Sequence, residues 1–542
     1  MSNKMDGELR HKFDLMKRAF ARGELSRRGF IVAALGAGVA STTVFGHVDR
    51  VQAATPKKGG RFRQALTGGG SGDTMDPAQI LDSYMINVSS GMLRNNLTEI
   101  GSDGQLTGEL AESWEAAPDA ATWTFKLRQG VEFHNGKTLE AADVVASLNH
   151  HRGDDTDSAA KGIVSAITDI KADGKDTVVF TLSGGSADFP FLMSDYHLGI
   201  CPAKDDGTID WESGVGTGGY SLVSFDPGVR TVVKRNPNYW KEGRAHFDEV
   251  ESLFVPDSNA RNTGLQTGEL DCITNLDLNT VSLMRQVPTI QVFETFGNKH
   301  ATMPMHCNTA PFDNNDVRLA LKYSIDRNEF VEKLLQGLGE VGNDHPIGPA
   351  NIYRATPEEL PQREYDPEKA KFHLKQAGMD SLTVDLHIAD TAFEGAVNGA
   401  QLFAETAKAA GITINVVREP DDGYWSNVWL KKPFSGSYWG GRPTEDWIFS
   451  QIYSSGADWN ESFWENERFN ELLIQARAEL DTTKRREMYV EMQRLCNEDC
   501  GNIIPIYMAY THAASSKVQL PEQMASNWEL DGHKNAERWW FA

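Results

Sequence analysis

The sequence is short of positive charge. Its 542 residues include 53 Lys and Arg against 76 Asp and Glu, which gives a formal net charge of −23 at pH 7. A surface of this sign repels nucleic acid and anionic lipid at long range. We therefore expect no nucleic-acid partner, and small molecules remain open as ligands.

The N-terminal part lacks an apolar run long enough to cross a bilayer. The run "FIVAALGAGVA" covers Phe30 to Ala40, 11 residues, whereas a spanning helix needs about 20. Basic residues precede it, and "SRRGFI" (Ser26 to Ile31) resembles a twin-arginine export signal, although Val32 stands where that signal often has lysine. Small residues follow, up to the A-x-A-like stretch Val51 to Ala53. We predict that residues 1–53 are a signal peptide, removed after export to the periplasm through the twin-arginine machinery; the alternative is a short membrane anchor.

Cysteine is scarce, and its number is odd. The five residues are Cys201, Cys272, Cys307, Cys496 and Cys500. An odd number in an oxidising compartment leaves at least one thiol unpaired. Cys496 and Cys500 are open to two interpretations, a local disulfide or two reduced thiols. A metal at that spacing lacks further ligands, so we predict no metal site.

Motifs for common enzyme chemistry are missing. The sequence has no G-x-S-x-G and no H-E-x-x-H, and "GGGSGD" (Gly68 to Asp73) lacks the lysine of a phosphate-binding loop. "GVGTGG" (Gly214 to Gly219) fits the dinucleotide pattern, but Tyr220 begins a predicted strand where a helix is needed. Glu445 and Asp446 are adjacent and need not converge on one glycosidic bond. We expect neither an enzyme nor a cofactor.

The stretch "KHATMPMHC" (Lys299 to Cys307) contains histidine, methionine and cysteine, which are soft metal ligands. Period-two alternation explains it more simply, because Met303 and Met305 then share one face and His300 and His306 the other. This pattern favours a strand that lines a core.

Strand and helix signals alternate along the whole chain, which predicts an α/β protein. Tyr220 to Phe225, a turn and a second strand from Val229 form one predicted hairpin; a second begins at Thr122 and turns near Gln129 and Gly130. Two later helices begin at the N-caps Asp326 and Asp366. A βαβ unit is predicted from strands 382–390 and 412–417 around the helix "AQLFAETAKAAG".

Tryptophan is concentrated in one region. Six of the chain's 13 tryptophans lie between Trp425 and Trp464, around "SYWGGRPTEDW" and its Arg442. Trp447 and Trp464 sit in helix-like runs and are expected to pack internally. The better pocket candidates are Trp425 and Trp439, with their neighbours Tyr424 and Tyr438. Flat aromatic walls suit a ring, a sugar face or a quaternary ammonium.

Four long stretches carry a resemblance to a known family. In order they are Leu110 to Leu148, Gly216 to Trp240, Pro311 to Phe330 and Tyr365 to Gly378. They resemble the family 5 extracytoplasmic solute-binding proteins, the dipeptide, oligopeptide and nickel-type receptors of ABC importers. The resemblance implies a periplasmic-binding-protein fold of α/β class, with two lobes that close about a hinge and an additional domain.

The resemblance also implies domain boundaries and partners. Residues 55–92, 199–300 and 505–542 would form lobe I, residues 93–198 the additional domain, and residues 301–504 lobe II with the main ligand pocket. The receptor, expected to be a monomer, would deliver its ligand to an ABC-transporter membrane permease and do no chemistry itself. Closure would be a population shift, because a ligand that bridges both lobes binds the closed state better.

The pocket pattern of the family is altered here. Peptide receptors hold the ligand's ammonium group with the aspartate of a W-x-G-D stretch, and this chain has Arg442 at that position after Trp439, Gly440 and Gly441. Where such receptors often place an arginine for the carboxylate, an ungapped alignment puts Asp390. Arg442 would repel an ammonium group and suits a carboxylate, sulfonate or phosphate.

Further site residues are less closely defined. Asp390 is open to two interpretations, as a ligand for an amine or as a structural ion-pair partner of Arg442. The facing lobe is expected to contribute from "DSYM", that is Tyr84, Ser83 and Asp82.

These residues together predict a periplasmic substrate-binding subunit for a small zwitterionic, anionic or peptide-like solute. Alternatives within the family are an oligopeptide or oligosaccharide receptor. The alternative from a different class is an exported hydrolase with dispersed catalytic residues.

Overall fold

A computed structural model describes residues 56–542, except residues 154, 394, 421–423 and 443. The predicted signal peptide, 1–53, lies outside the described residues. No helix within them has the length and apolar composition needed to cross a membrane.

Twenty strands belong to the described chain, in five sheets. In chain order they are β1 Arg61–Leu66, β2 Thr98–Ile100, β3 Leu106–Gly108, β4 Ala111–Ala116, β5 Thr122–Leu127, β6 Ile167–Asp173, β7 Thr177–Leu182, β8 Tyr220–Asp226, β9 Arg230–Arg235, β10 Glu249–Phe254, β11 Cys272–Ile273, β12 Ile290–Pro304, β13 Gly339–Val341, β14 Leu382–Ile388, β15 Ile412–Arg418, β16 Ser437–Trp439, β17 Asn502–Ile503, β18 Ile506–Ser515, β19 Val518–Gln519 and β20 Trp540–Phe541.

The α-helices lie between these strands. They are α1 Ser83–Val88, α2 Ala141–Asn149, α3 Lys161–Val164, α4 Phe189–Leu192, α5 Ser258–Thr267, α6 Leu278–Met284, α7 Asn315–Tyr323, α8 Arg327–Glu329, α9 Pro367–Gln376, α10 Ala396–Ala407, α11 Tyr424–Asn427, α12 Glu445–Ile448, α13 Glu467–Ala478, α14 Thr482–Glu498 and α15 Asn535–Arg538. Single turns of 3-10 helix cover Pro77–Gln79, Tyr196–Leu198 and Lys408–Ala410, and π turns cover Ser89–Leu93, Phe330–Leu334 and Phe449–Tyr453. Glu529–Gly532 forms a further turn with left-handed residues, described below.

Two long antiparallel strands, β12 and β18, organise the main sheet. Its order is β16-β12-β18-β11-β1-β10-β9-β8, with β13 paired to β18 and β17 to β12. β12 has 15 residues, a length of about 50 Å. Its register with β18 shifts between Phe296 and His300, close to Lys299. The predicted boundary at residues 300/301 falls inside β12; the division into lobes at the predicted positions stays a prediction.

A four-stranded sheet, β4-β5-β7-β6, has its own hydrophobic core among residues 97–200. The predicted hairpin at Gln129 and Gly130 is wrong. β5 pairs with β4 and β7, because Trp123, Phe125 and Leu127 are buried between the sheet and its helices. The chain after Gly130 makes only an isolated bridge to Thr138.

Other local predictions are confirmed. β8 and β9 form the predicted hairpin, so a strand follows Gly219 and the dinucleotide pattern lacks its helix. β14 and β15 pair in parallel around α10. Asp326 and Asp366 accept hydrogen bonds from the first backbone N–H groups of α8 and α9. Capping residues thus mark helix starts that the sequence alone identifies.

The strand prediction for Lys299 to Cys307 is confirmed as far as Pro304. Met303, Met305 and His300 are buried there. The described residues include no group of three or more His, Cys, Asp or Glu side chains arranged to hold a metal ion. All five cysteines are free thiols, so the local disulfide between Cys496 and Cys500 is not formed.

Candidate functional site

A cavity of about 670 Å³ opens beside the register shift of β12. Its aromatic lining comes from five tryptophans and three tyrosines: Trp425, Trp429, Trp439, Trp459 and Trp528, with Tyr196, Tyr438 and Tyr510. Charged side chains also reach it, among them Arg442, Lys299 and Glu529. A concave, mostly aromatic space with a few polar groups is the usual form of a small-molecule site.

Five aromatic side chains form one continuous wall. Ring centroids are 5.9 Å apart for Trp425 and Tyr438, 6.0 Å for Trp425 and Trp429, 6.1 Å for Trp429 and Trp439, and 5.7 Å for Trp439 and Trp459. Trp425, Tyr438 and Trp459 nevertheless keep about two fifths of their surface exposed, at 40%, 42% and 42%. Large rings gathered in a cavity and left partly exposed are available to stack on a bound molecule.

The loop after β16 carries Arg442. β16 pairs with β12, with Trp439 opposite His300 and Ser437 opposite Thr302. The side-chain amides of Asn298 and Asn351 donate hydrogen bonds to the Arg442 carbonyl, at 3.2 and 3.3 Å. These contacts fix the backbone of the loop before any ligand arrives.

The Arg442 guanidinium lies between two indole rings. Its central carbon is 5.9 Å from the Trp439 ring centroid and 5.7 Å from that of Trp447, and Nε donates a 3.0 Å hydrogen bond to Gln451. Burial lowers the pKa of Arg442 from its ordinary value, while Tyr196 and Asp195 raise it, and an arginine stays charged in either case. No carboxylate among the described residues forms an ion pair with it. Among the described residues Arg442 is therefore a preorganised cation without an ion-pair partner, and Asp195 acts on it only through space.

Glu461 holds the aromatic wall in position through a hydrogen bond to Trp429. This residue was not identified from the sequence. This carboxylate is fully buried and accepts hydrogen bonds from Trp429 Nε1 at 3.0 Å, Thr302 Oγ1 at 2.7 Å and Asn502 Nδ2 at 3.3 Å. Burial raises the pKa of Glu461, and the hydrogen bonds from Trp429 and Thr302 lower it. In the sequence its only signal is an acidic residue between Trp459 and Trp464.

Five of the nine predicted site residues line the cavity. They are Arg442, Trp439, Tyr438, Trp425 and Ser83. Sequence reasoning missed Lys299, Tyr196, Tyr510, Trp528, Glu529 and His533, which also line it. Most of these lie on elements far from Arg442 in the chain, so no local pattern connects them.

The two other predicted tyrosines have protein partners. The Tyr424 hydroxyl, buried under the wall, is hydrogen-bonded to the carbonyls of Gly436 at 2.8 Å and His387 at 3.2 Å. The Tyr84 hydroxyl is hydrogen-bonded to Thr231 at 2.9 Å and donates to the Ser252 carbonyl at 3.0 Å. Both rings pack in hydrophobic cores.

The two predicted aspartates also have protein partners. Asp82 accepts a 2.9 Å hydrogen bond from Met85 N as the N-cap of α1, and burial raises its pKa to about 6. Asp390 pairs with Arg418 at 3.3 Å near the surface, so the ion pair considered between Asp390 and Arg442 is absent. Parallel pairing explains this, because it sets Arg418 beside Ile388, two residues before Asp390.

A long-strand framework, a cavity walled with aromatic rings and a cation without an ion-pair partner among the described residues are features of a solute-binding site. Residues 105–461 match the family of bacterial extracellular solute-binding proteins, family 5 Middle. The chain belongs to this family, whose members are the substrate-binding subunits of ABC importers and are receptors rather than enzymes.

Two relatives support the assignment, and one solved structure shows the fold. The chain is 26% identical to the dipeptide-binding protein of Escherichia coli K12 over 474 residues, 80% of this chain and 87% of that protein. It is 30% identical to heme-binding protein A of Haemophilus influenzae over 329 residues, 56% of this chain but only 59% of that protein. The structure of the periplasmic binding protein DppA from Helicobacter pylori, in complex with the peptide STSA, is similar at a TM-score of 0.70 and 23% identity, over 90% of this chain and 98% of that one. The fold prediction is thereby confirmed.

Proposed function

We propose that this receptor captures a small solute with an anionic group, either a zwitterion or an anion, and delivers it to its membrane permease. The observation that carries the proposal is Arg442, a cation that the described structure leaves without a carboxylate partner in an aromatic cavity. A guanidinium of fixed orientation binds a carboxylate, sulfonate or phosphate in bidentate fashion. We propose that four further predicted site residues contact the ligand: Trp439, Tyr438, Trp425 and Ser83.

The aromatic wall supports a ligand with a flat or apolar part. Trp425, Tyr438 and Trp459 expose ring surface to the cavity, and burying that surface contributes roughly 25 cal/mol for each Å² removed from water. A simple inorganic anion would leave most of the wall uncovered. An opine, a modified amino acid or a betaine-like compound uses both the charge and the rings.

A peptide is the second candidate. The relative from Escherichia coli is named as a dipeptide-binding protein, and a cavity of about 670 Å³ lies within the usual range for small ligands, roughly 300 to 1,000 Å³. Arg442 argues against the usual peptide orientation, because it would repel an ammonium group at the position where peptide receptors have aspartate. A peptide would have to bind with its carboxylate at Arg442.

We further propose that the protein is exported through the twin-arginine machinery, that residues 1–53 are removed, and that the mature receptor is a monomer. The basic n-region and "SRRGFI" support the route. Mass spectrometry of protein purified from the periplasm gives the mature N-terminus, and sedimentation gives the oligomeric state.

A thermal-shift screen of compounds in matched quartets tests the ligand class. Each quartet contains an amino acid, opine or dipeptide as the zwitterion, its N-acetyl form, its methyl ester and the doubly blocked form. Because binding to the folded state alone raises apparent stability by about 2.7 kcal/mol at 100 times Kd, a zwitterion or an N-acetyl form should raise the melting temperature. The same compound should quench tryptophan fluorescence at one-to-one stoichiometry and be recovered unaltered. Binding only by the esters and doubly blocked forms would contradict the proposal, and chemical turnover would favour the exported hydrolase.

A further inference from the structure

The cavity lining includes residues of a turn of left-handed backbone near the C-terminus. Leu530, Asp531, Gly532 and His533 all have positive φ, at 50°, 59°, 64° and 62°. Three of these four residues carry a side chain, which makes the left-handed conformation costly. Such segments persist only where surrounding contacts over-determine them, and they cluster at ligand clamps.

Buried ion pairs and hydrogen bonds hold this turn in place. Asp531 Oδ1 accepts from Arg538 at 2.8 Å and from the Ala525 N–H at 2.7 Å. The His533 N–H donates to the Glu529 carbonyl at 2.8 Å, and Asn87 donates to the His533 carbonyl at 3.3 Å. Together these contacts fix the direction in which the turn presents its side chains.

What the turn presents is a carboxylate. Glu529 lines the cavity together with Trp528 and His533, and only 7% of its surface is exposed. Burial raises the pKa of the Glu529 carboxyl, whereas the nearby Ser83 side chain and the charges of Lys299 and Arg261 lower it. A carboxylate this deeply buried keeps its charge only if a cation or several hydrogen-bond donors compensate it.

No protein cation fills that role within the described structure. Arg261 directs its guanidinium to backbone carbonyls, among them Thr274 at 3.1 Å and Val255 at 2.8 Å. Lys299 acts on Glu529 through space without forming an ion pair with it. His533 adds a second unpartnered group, since it is 1% exposed and its Nδ1 has no hydrogen-bond partner in the part of the chain described.

Glu529 and Arg442 therefore contribute opposite charges to one cavity. They do not pair with each other, and the Tyr510 side chain lies within electrostatic reach of both, because Glu529 raises its pKa and Arg442 lowers it. Glu529 belongs to the C-terminal segment and Arg442 to the loop after β16, and these two segments lie side by side, with Gly441 close to the Asn527 carbonyl. A ligand with both an ammonium group and a carboxylate is complementary to these two charges.

We propose that Glu529, presented by the left-handed turn, binds the cationic group of the ligand whose anionic group is held by Arg442. The inference rests on the proposed function, and it makes the ligand a zwitterion rather than an anion. Relative to peptide receptors, the ammonium site has moved from the tryptophan loop, where Arg442 now stands, to the C-terminal segment that carries Glu529. Specificity for a free amine is then set by Glu529.

The matched quartets test this residue. The measured quantity is the ratio of the Kd of the N-acetyl form to the Kd of the zwitterion, determined by calorimetry on the processed protein for the quartet whose zwitterion binds wild type most tightly. We expect Glu529→Gln to lower this ratio at least tenfold, because the amide no longer distinguishes an ammonium from a neutral acetamide. Glu529→Asp, which keeps the charge on a shorter side chain, should restore part of the ratio.

Glu445→Gln is the matched control. Glu445 is also a buried glutamate, 2% exposed, but it accepts a hydrogen bond from the Tyr353 N–H at 2.7 Å and does not line the cavity. Its substitution should leave the ratio within twofold of wild type. Circular dichroism and the melting temperature of each unliganded variant show whether it folds; if Glu529→Gln does not, Glu529→Asp and Glu529→His supply the comparison.

The outcomes separate the inference from the proposed function. A wild-type ratio near one, or an unchanged ratio in a folded Glu529→Gln protein that still needs Arg442 for binding, would overturn the inference and leave the anion receptor intact. If no zwitterion or N-acetyl form binds wild type, the proposed function fails and the inference falls with it. A tenfold fall confined to the Glu529 variants supports both.

Discussion

Arg442→Met is the substitution expected to weaken ligand binding strongly while changing the free energy of unfolding little. The change removes the charge but keeps an unbranched side chain that can stay between the indoles of Trp439 and Trp447, where the guanidinium now lies 5.9 and 5.7 Å from the ring centroids. The unliganded protein loses two cation–π contacts of about 0.5 to 1 kcal/mol each and one hydrogen bond to Gln451 of about 1 kcal/mol. It regains sulfur–aromatic contacts and no longer buries a cation. We expect its free energy of unfolding to stay within about 1 to 2 kcal/mol of wild type.

The effect on binding should be much larger. Removing one partner of a desolvated, hydrogen-bonded charge pair costs about 2 to 5 kcal/mol, which corresponds to a rise in Kd of roughly 30-fold to several thousand-fold. Calorimetry with the tightest-binding zwitterion measures it. The matched control is Arg418→Met, since Arg418 pairs with Asp390 and is 70% exposed; its Kd should remain within twofold of wild type. Equal losses of affinity in both variants, or a large loss of stability in Arg442→Met with affinity retained, would refute the role given to Arg442.

Three further predictions concern groups around and beyond the cavity. Glu461→Gln should weaken zwitterion binding about tenfold and shift the tryptophan emission maximum, because the acceptor that fixes Trp429 becomes weaker; an unchanged spectrum and Kd would argue against a positioning role. Burial raises the pKa of Glu445 from an ordinary 4.5 to about 7, so its contribution to stability is greatest below pH 4.5 and is lost as the pH rises through 7. In denaturant titrations, the free energy of unfolding of Glu445→Gln should therefore exceed that of wild type by up to about 3 kcal/mol at pH 8 and by little at pH 4.5. Equal differences at both pH values would contradict this prediction. Four of the five free cysteines are buried and Cys307 is partly exposed, so Ellman's reagent should modify at most one thiol in the native protein and five after unfolding; fewer than five would reveal a disulfide.

Elements whose ends are marked by cap or turn residues in the sequence could be predicted. The caps Asp326 and Asp366, the hairpin of β8 and β9, and the parallel pair β14 and β15 depend on residues close together in the chain. Strand partners were harder to predict, since β5 pairs with β7, which begins about 50 residues later in the chain. The turn residues near Gly130 predict where the chain bends, but they do not predict which strand pairs with β5.

The part of the cavity formed by the tryptophan cluster could be predicted from the sequence. Arg442, Trp439 and Trp425 line the cavity, but Tyr424, adjacent to Trp425, is buried beneath the Trp425 ring and its hydroxyl is hydrogen-bonded to backbone carbonyls. Neighbouring positions on a helix point about 100° apart, so adjacency is a weak guide to a shared wall. Glu529 lies 87 residues after Arg442 in the sequence and reaches the cavity through a left-handed turn, for which the sequence has only Gly532 as a signal.

A crystal structure of the receptor with its tightest-binding zwitterion would show directly which group of the ligand Arg442 holds. We expect a carboxylate of that compound within about 2.7 to 3.0 Å of the Arg442 guanidinium nitrogens, with its apolar part against the aromatic wall. An ammonium group at Arg442, or a ligand bound elsewhere with the cavity empty, would contradict it.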